Sequence, residues 1–345
     1  MVRDGQLVKN RRGAYGVAAR MDLVAGRVTA HRDGYGFLVP DGEGDDLYLS
    51  PRQMRAVLHG DRVLASVVGV DERGRWEGRV REVLERANET VVGRFVAESG
   101  IALVVPDESR LAQDVLVPLD QTGGATPGQI VVVAITRQPT EKQPPFGRVV
   151  KVLGEMTDPG MATDIAIHNF DIPHEWPEGV EADARAFGDS VPETMKEGRK
   201  DLRDLPLVTI DGADARDFDD AVYAKRQRKG WRLVVAIADV SSYVTPGSAL
   251  DQEAQHRATS VYFPNRVVPM LPEALSNGLC SLRPDEDRLC LVCDMSVDDE
   301  GLVTRRRFLP AVMRSRARLT YDQVGRYLDA GERLLGQIPR PLVVQ

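Results

Sequence analysis

The feature that most constrains the fold of this chain is an internal repeat between residues 23 and 155. Four landmarks of the first copy return in the second at offsets of 67, 66, 68 and 69 residues. These pairs are Gly26–Val28 with Gly93–Phe95, Phe37–Asp41 with Leu103–Asp107, Gly60–Val63 with Gly128–Val131, and Gly78–Leu84 with Gly147–Leu153. Short alternating apolar runs broken by Gly, Pro and Asp predict an all-β unit of about 65 residues for each copy. That size and pattern favour a small five-stranded barrel of the OB type.

The first copy carries an aromatic strand that the second copy lacks. In Asp33–Val39, glycines alternate with Tyr35 and Phe37, a pattern that resembles the aromatic strand of cold-shock domains. Alternation places both rings on one face, where they are either core residues or a platform for stacked bases. The flanking glycines favour the platform, so Tyr35 and Phe37 are candidate RNA-binding residues. The second copy has Glu98–Ala102 at the matching place and is predicted to serve architecture or backbone contact.

The densest charge in the sequence is an acidic cluster that follows a predicted strand. Its carboxylates are Asp211, Asp214, Asp217, Asp219 and Asp220. Like charges this close make one another harder to ionise, and a bound divalent cation relieves that cost. Carboxylate oxygens suit magnesium or manganese. Leu205–Ile210 reads as a strand entering the cluster and Ala221–Ala224 as one leaving it. The acids are therefore predicted to sit on a tight turn containing Gly212, as a metal-dependent active site.

Two other kinds of metal site do not fit the sequence. A calcium loop of the EF-hand kind needs its glycine after the third acid, whereas Gly212 precedes the acids that follow. A zinc site built on Cys290 and Cys293 lacks a second pair of ligands. These two residues and Cys280 lie in apolar sequence and cannot all pair, so all three are predicted to be reduced core thiols.

Composition predicts a soluble chain of two or three domains. The 345 residues are 42% hydrophobic and 28% charged, which is ordinary for globular proteins. No apolar run reaches the roughly 20 residues of a membrane span, and no signal-peptide pattern is present. A cytoplasmic monomer is the expectation. The net charge of −7 excludes a uniformly basic surface but allows local basic tracks, of which Lys9–Arg12 and the arginines between Arg305 and Arg318 are two. Each track alone is more often a solvated face than a binding site.

The remainder of the chain changes character at about residue 202. Residues 156–200 are rich in Pro, Asp and Glu and read as a connector, with a helix expected near residues 183–187. Beyond it, β-rich runs alternate with helical patterns, which predicts a mixed α/β domain. The predicted strands are Trp231–Val240, Arg288–Val297 and Leu302–Val312, and the predicted helices are Ser248–Arg257 and Tyr321–Leu335.

Several motifs in this second part resemble the ribonuclease II/R family in content and order. Around the acidic cluster they are Asp201–Pro206, Asp211–Asp220, Ala236–Val240, Thr259–Pro264, Pro269–Glu273 and Leu275–Leu282. The resemblance implies two tandem all-β OB/cold-shock-like barrels followed by a mixed α/β catalytic domain, here partial. It also implies processive hydrolysis of RNA from the 3′ end, with Mg²⁺ as cofactor, Mn²⁺ as a substitute, and nucleoside 5′-monophosphates as products.

The resemblance assigns roles to individual positions. Asp211, Asp217, Asp219 and Asp220 form its catalytic and metal-binding set, and Asp219 is expected to be indispensable. Asp214 falls outside that set and is expected to be a turn residue. Tyr262 is expected to stack near the 3′-terminal nucleotides of RNA.

The expected domain boundaries follow from the repeat and the motifs. They are 1–22 as the remnant of a winged-helix wing, 23–85 and 86–155 as the two barrels, 156–200 as the connector, and 201–345 as the first part of the catalytic domain. The family pattern leads us to expect a chain truncated at both ends. The alternative function is therefore an RNA-binding fragment without catalytic turnover, because its catalytic domain is incomplete.

Overall fold

The computed structural model describes residues 7–9, 15–17 and 23–330 of the chain. The chain divides into two compact units, Met1–Ile172 and Pro173–Gln345. At its start, β1 (Leu7–Lys9) pairs antiparallel with β2 (Tyr15–Val17), and both strands lie in the segment predicted to be the remnant of a winged-helix wing. The rest of that predicted wing lies outside the described residues. Within the described ranges, no helix is long and apolar enough to cross a membrane.

The first copy of the repeat forms a closed five-stranded barrel, as predicted. Its strands are β3 (Leu23–Ala30), β4 (Gly36–Pro40), β5 (Leu47–Leu49), β6 (Arg62–Val70) and β7 (Trp76–Glu85), with a short helix, α1 (Pro51–Met54), after β5. Neighbouring strands are antiparallel except for β5 with β7, and β3 pairs with β6 to close the barrel. Alternate side chains such as Leu38, Leu49 and Val63 fill the interior, which accounts for the alternating sequence.

The second copy repeats this barrel with the same strand order. Its strands are β8 (Thr90–Glu98), β9 (Ile101–Pro106), β10 (Val115–Val117), β11 (Ile130–Arg137) and β12 (Phe146–Gly154). The repeated glycines mark a close approach of strands. A Cβ at Gly26 would collide with the carbonyl oxygen of Val39, and one at Gly93 with that of Val105. The same steric demand therefore explains why this landmark recurs in both copies.

The predicted connector contains three helices. Helix α2 (Met161–Asn169) packs Met161 and Ile165 against the outside of the second barrel, so it belongs to the first unit. Helices α3 (Val180–Arg185) and α4 (Glu193–Lys196) belong to the second unit. The division between the units thus falls within the connector, and α3 begins before the expected residue 183.

A buried carboxylate joins the segments around the first barrel. Asp61 is fully buried and accepts hydrogen bonds from the Leu58 amide at 2.9 Å, the Ala87 amide at 3.0 Å and the Arg86 guanidinium at 2.8 Å. Removing it would leave the Arg86 cation without its counter-ion and the Leu58 and Ala87 amides without their acceptor. We therefore expect Asp61→Ala to lower the free energy of unfolding by about 3 kcal/mol, measured by urea denaturation.

The control for this prediction is Asp41→Ala. Asp41 also pairs with an arginine, Arg62, but its side chain is 37% exposed, so water compensates for the lost ion pair. We expect a loss below about 1 kcal/mol. Equal losses in the two variants would contradict the importance assigned to burial.

The second unit is built on a seven-stranded mixed sheet. Its strands are β13 (Lys200–Asp201), β14 (Val208–Asp211), β15 (Asp220–Arg226), β16 (Trp231–Ala238), β19 (Asp287–Val297), β20 (Val303–Arg314) and β21 (Ala317–Thr320). Between β16 and β19, two short strands, β17 (Val261–Tyr262) and β18 (Val267–Val268), pair with each other in a separate sheet. The order is β13-β20-β19-β16-β15-β14-β21, and only β13–β20 and β14–β21 are parallel pairs. This confirms the mixed α/β prediction.

One face of the sheet carries the main core. Ala236, Cys290 and Ala311 on neighbouring strands are fully buried and belong to the cluster that includes residues of α3 and of α5 (Ala249–Arg257). A π-helix, Ala274–Leu279, contributes Leu275 and Leu279 to the same cluster. Helix α6 (Tyr321–Ala330) follows β21, and the predicted continuation to Leu335 lies outside the described residues.

The opposite face corrects the prediction for one cysteine. Val235, Cys293 and Phe308 lie opposite one another in the strand register, and Cys293 is only half-buried. Because Cys290 and Cys293 are three residues apart on one strand, they point to opposite faces. Cys280 and Cys290 are buried free thiols as predicted, whereas Cys293 is a free thiol outside the main core.

Candidate active site

The acidic cluster lies between two neighbouring strands of the seven-stranded sheet, β14 and β15. Strand β14 ends at Asp211, and β15 begins at Asp220. The two strands pair only through Val208 and Val222, so the acids between them occupy an open loop, Gly212–Asp219. The prediction of a tight turn is therefore wrong, because the acids lie on a longer, open loop. Asp211 is held in register by Thr320 of β21, which fixes the start of the loop.

Burial and mutual repulsion act on two of these carboxyl groups. The pKa of Asp211 is raised, first by burial and then by the charges of Asp220, Asp219 and Asp217. The pKa of Asp220 is raised by burial and by Asp219. In addition, Asp211 Oδ2 is buried and has no hydrogen-bond partner within the described part of the chain. An unsatisfied, repelled carboxylate of this kind gains free energy from a nearby cation.

A cavity of about 820 Å³ opens beside the loop. Asp211, Asp217 and Asp219 line it, and Tyr262 lies in its wall with 63% of its surface exposed. The Tyr262 hydroxyl donates a hydrogen bond of 2.6 Å to Asp217 Oδ2, which raises the pKa of Tyr262 to about 12 because the carboxylate accepts from the neutral phenol. The structure therefore brings together four of the five residues expected in this region.

Two acids behave differently from expectation. Asp220 does not line the cavity; it is half-buried at the start of β15, opposite Ile237. Asp214, expected to be only a turn residue, lines the same cavity as Asp219. Three acids of the expected set thus line the cavity, and the fourth, Asp220, does not.

The donor chemistry of the site fits a hard divalent cation. Every candidate ligand is a carboxylate oxygen, and Asp211 Oδ2 has no hydrogen-bond partner among the residues that the structure describes. Among the residues that the structure describes, no three His, Cys, Asp or Glu side chains are already drawn together at metal-holding positions.

Arg318 is a part of the site that the sequence analysis placed only in a general basic track. Its guanidinium donates a hydrogen bond of 2.6 Å to the Ala213 carbonyl and lies 4.8 Å from the centre of the Phe218 ring. It touches both halves of the acidic loop, and its charge acts on Asp211 in the opposite direction to the neighbouring acids. Arg314 and Arg316 are engaged elsewhere, with Asp287 and with the Arg203 carbonyl respectively, so this part of the track is not a continuous phosphate-binding surface.

A second candidate site lies on the outside of the first barrel. Gly36 and Leu38 face the barrel interior, whereas Tyr35 and Phe37 lie outside it with their ring centres 5.9 Å apart. The Tyr48 ring is 5.8 Å from Tyr35 and 5.9 Å from Phe37. The three rings form one cluster, which we call the aromatic platform.

Two further residues extend the aromatic platform. His31 stacks on Tyr35 with a ring-centre distance of 4.5 Å, and the Arg75 guanidinium lies 3.9 Å from the centre of the Tyr48 ring. The sequence analysis missed these residues and Tyr48. Alternation in Leu47-Tyr48-Leu49 signals an outward ring at Tyr48, but only the strand pairing brings that ring to Phe37.

Three family models match separate parts of the chain. They are the ribonuclease B OB domain over residues 26–83, the cold shock domain over 103–177 and the RNB domain over 199–336. The first match contains the aromatic platform, and the last contains the acidic loop and its cavity.

Curated and solved proteins agree with these matches. Ribonuclease R of Acidithiobacillus ferrooxidans is 55% identical over 339 residues, which cover 98% of this chain and 77% of that protein. Ribonuclease R of Escherichia coli is 54% identical over 344 residues, covering 99% of this chain but 42% of that protein. The solved structure of Mycoplasma genitalium RNase R in complex with ribose methylated single-stranded RNA superposes with a TM-score of 0.84 at 30% identity, covering 93% of this chain and 51% of that one. This chain belongs to the ribonuclease R family.

Proposed function

We propose that this chain is a 3′→5′ exoribonuclease that uses Mg²⁺, with Mn²⁺ as a substitute, and releases nucleoside 5′-monophosphates processively from RNA. The observation that carries the proposal is the cavity in which Asp211, Asp217 and Asp219 meet Tyr262. The likeness to ribonuclease R along nearly the whole chain supports the reaction class. We also propose that the protein is a cytoplasmic monomer.

The proposed metal set is Asp211, Asp217, Asp219 and Asp220. At such a site, a divalent cation supplies neutralisation of phosphate charge and activation of water for attack. The carboxylates would hold and orient the cation. The buried Asp211 oxygen offers it a ligand that has no competing hydrogen bond within the described part of the chain. Asp220, which does not line the cavity, adds negative charge that favours a cation next to Asp211.

Tyr262 is proposed to bind the end of the RNA chain. Its ring is exposed in the cavity wall, where a base can stack on it. Its hydroxyl bond to Asp217 fixes the ring beside the acids, so that a base stacked there would bring the adjacent phosphodiester towards them.

The expected effect of Tyr262→Ala is weaker binding of a short single-stranded RNA. Loss of one stacked base costs roughly 1–3 kcal/mol, so we expect the dissociation constant to rise by about 10-fold in a fluorescence anisotropy titration. Tyr262→Phe keeps the ring and is the matched control, with an expected change below about 2-fold. If the Phe variant binds as weakly as the Ala variant, the hydroxyl contact and not stacking holds the RNA.

We propose that single-stranded RNA also contacts the aromatic platform, Tyr35, Phe37 and Tyr48. Three outward rings, with a cation over one of them, offer faces on which successive bases can stack. The Mycoplasma genitalium relative has been solved with RNA bound, which supports RNA as the partner.

The second candidate function is RNA binding without turnover. The observation that favours it is the aromatic platform, whose rings offer base-stacking faces that do not depend on the acidic loop. The test is release of nucleoside monophosphates from a 3′-exposed single-stranded RNA, with Mg²⁺ or with a chelator. Release that depends on Mg²⁺ supports the exoribonuclease, whereas binding without release supports the second function.

A further inference from the structure

One buried hydroxyl group, that of Ser281, forms hydrogen bonds with the backbone of the acidic loop, Gly212–Asp219. Ser281 is fully buried, and its Oγ accepts a hydrogen bond from the Phe218 amide at 3.1 Å. The same oxygen donates to the Arg216 carbonyl at 2.9 Å. These two contacts fall on the residues before and after Asp217. A single side chain therefore fixes the backbone on both sides of a carboxylate that lines the cavity.

Backbone hydrogen bonds from Leu282 and Ala238 also hold the acidic loop. The Leu282 amide donates to the Phe218 carbonyl at 2.7 Å, and the Ala238 amide of β16 donates to the Asp219 carbonyl at 2.8 Å. From Arg216 to Asp219, the loop is thus tied at four points. Three of these four bonds come from Ser281 and its neighbour Leu282.

Ser281 is itself held firmly in place. It follows the π-helix Ala274–Leu279, whose wide turn is closed by the Cys280 amide donating to the Leu275 carbonyl at 2.9 Å. The Ser281 carbonyl accepts a hydrogen bond of 2.8 Å from Arg288, a residue only 3% exposed. This turn places the buried Ser281 hydroxyl within hydrogen-bonding distance of the acidic-loop backbone.

We propose that Ser281 is a positioning residue for the cation site, which it serves by holding the loop so that Asp217 and Asp219 face the cavity together. The inference rests on the proposed function, because it concerns the same carboxylates. Partners that orient ligand groups typically contribute 10–100-fold to metal affinity. Ser281 never contacts the cation or the RNA and acts only through the loop backbone.

The test is direct binding of Mn²⁺ to the full chain, measured by electron paramagnetic resonance without RNA or turnover. Ser281→Ala removes the hydroxyl with little change of volume and leaves the Phe218 amide unpaired. We expect the dissociation constant for Mn²⁺ to rise about 10-fold. Ser281→Cys fills the same space with a weaker hydrogen-bonding group, so we expect an intermediate rise, and it replaces the Ala variant if that one does not fold.

Ser315→Ala is the matched control. Ser315 is 1% exposed in the same unit, and its hydroxyl donates one hydrogen bond, to the Ala317 carbonyl at 3.2 Å, so its loss likewise removes a buried, hydrogen-bonded hydroxyl. A general loss of stability would weaken Mn²⁺ binding equally in both variants, and that result would overturn the inference. So would unchanged affinity in Ser281→Ala. Asp219→Asn separates the two proposals: if this variant binds Mn²⁺ as the unaltered chain does, the proposed metal set itself fails.

Discussion

Asp219→Asn is expected to reduce release of nucleoside monophosphates from single-stranded RNA by at least about 1,000-fold. Asn keeps the shape of the side chain but removes the charge from a residue that lines the cavity with Asp211 and Asp217. Loss of about 4 kcal/mol of transition-state stabilisation, within the range that metal-held charge supplies, corresponds to that factor. The measurement is the initial rate at saturating Mg²⁺, by chromatography of the released nucleotides.

Asp214→Asn is the matched control for this prediction. Asp214 lies in the same loop and lines the same cavity, but it is outside the set that resembles the family's metal ligands. The substitution makes the same change of charge as Asp219→Asn. Because Asp214 is not one of the expected metal ligands, we expect less than about a 3-fold loss of rate. Equal losses in both variants would mean that the total negative charge of the cavity matters, and not the position of Asp219.

The second large effect is expected at the aromatic platform. Replacing Tyr35 and Phe37 together by Ala removes two of its three rings and leaves Tyr48 alone beside Arg75. At roughly 1–3 kcal/mol for each stacked base, the double variant is expected to bind single-stranded RNA about 100-fold more weakly. The measurement is a binding titration with Mg²⁺ omitted, so that turnover does not interfere.

The control is Ile101→Ala in the second barrel. Ile101 is an outward residue with 61% exposure at the start of β9, the strand corresponding to β4. It offers no aromatic face, so we expect a change below about 2-fold. Weakening of binding by this variant to the level of the double variant would place the RNA contact on both barrels and contradict the proposed role of the aromatic platform.

Local patterns in the sequence predicted the architecture well because they record local steric demands. The recurring glycines at Gly26 and Gly93 mark positions where a Cβ would strike the neighbouring strand, and this demand is the same in both barrels. Alternation likewise predicted that Tyr35 and Phe37 share a face, because successive side chains of a strand point to opposite sides. The mixed sheet was predicted from its longest strands, all of which the structure contains.

The parts that the sequence did not predict depend on long-range pairing. Strand order brings Tyr48 to Phe37 and Thr320 to Asp211, and neither contact has a local pattern. Ser281 meets Phe218 across a separation of 63 residues. A serine between Cys280 and Leu282 could only have been recognised as a polar residue in an apolar run. Its partner, the Phe218 amide, is identified only by the three-dimensional structure.

The most direct test of the central claim compares RNA labelled at its 3′ end with RNA labelled at its 5′ end, each incubated with the chain and Mg²⁺. We predict immediate release of the 3′ label as a nucleoside 5′-monophosphate, while the 5′ label stays on long RNA until late in the reaction. The same reaction with Asp219→Asn should release neither label. Early internal fragments, release first from the 5′ end, or no release above that of Asp219→Asn would contradict the proposal that this chain degrades RNA from its 3′ end.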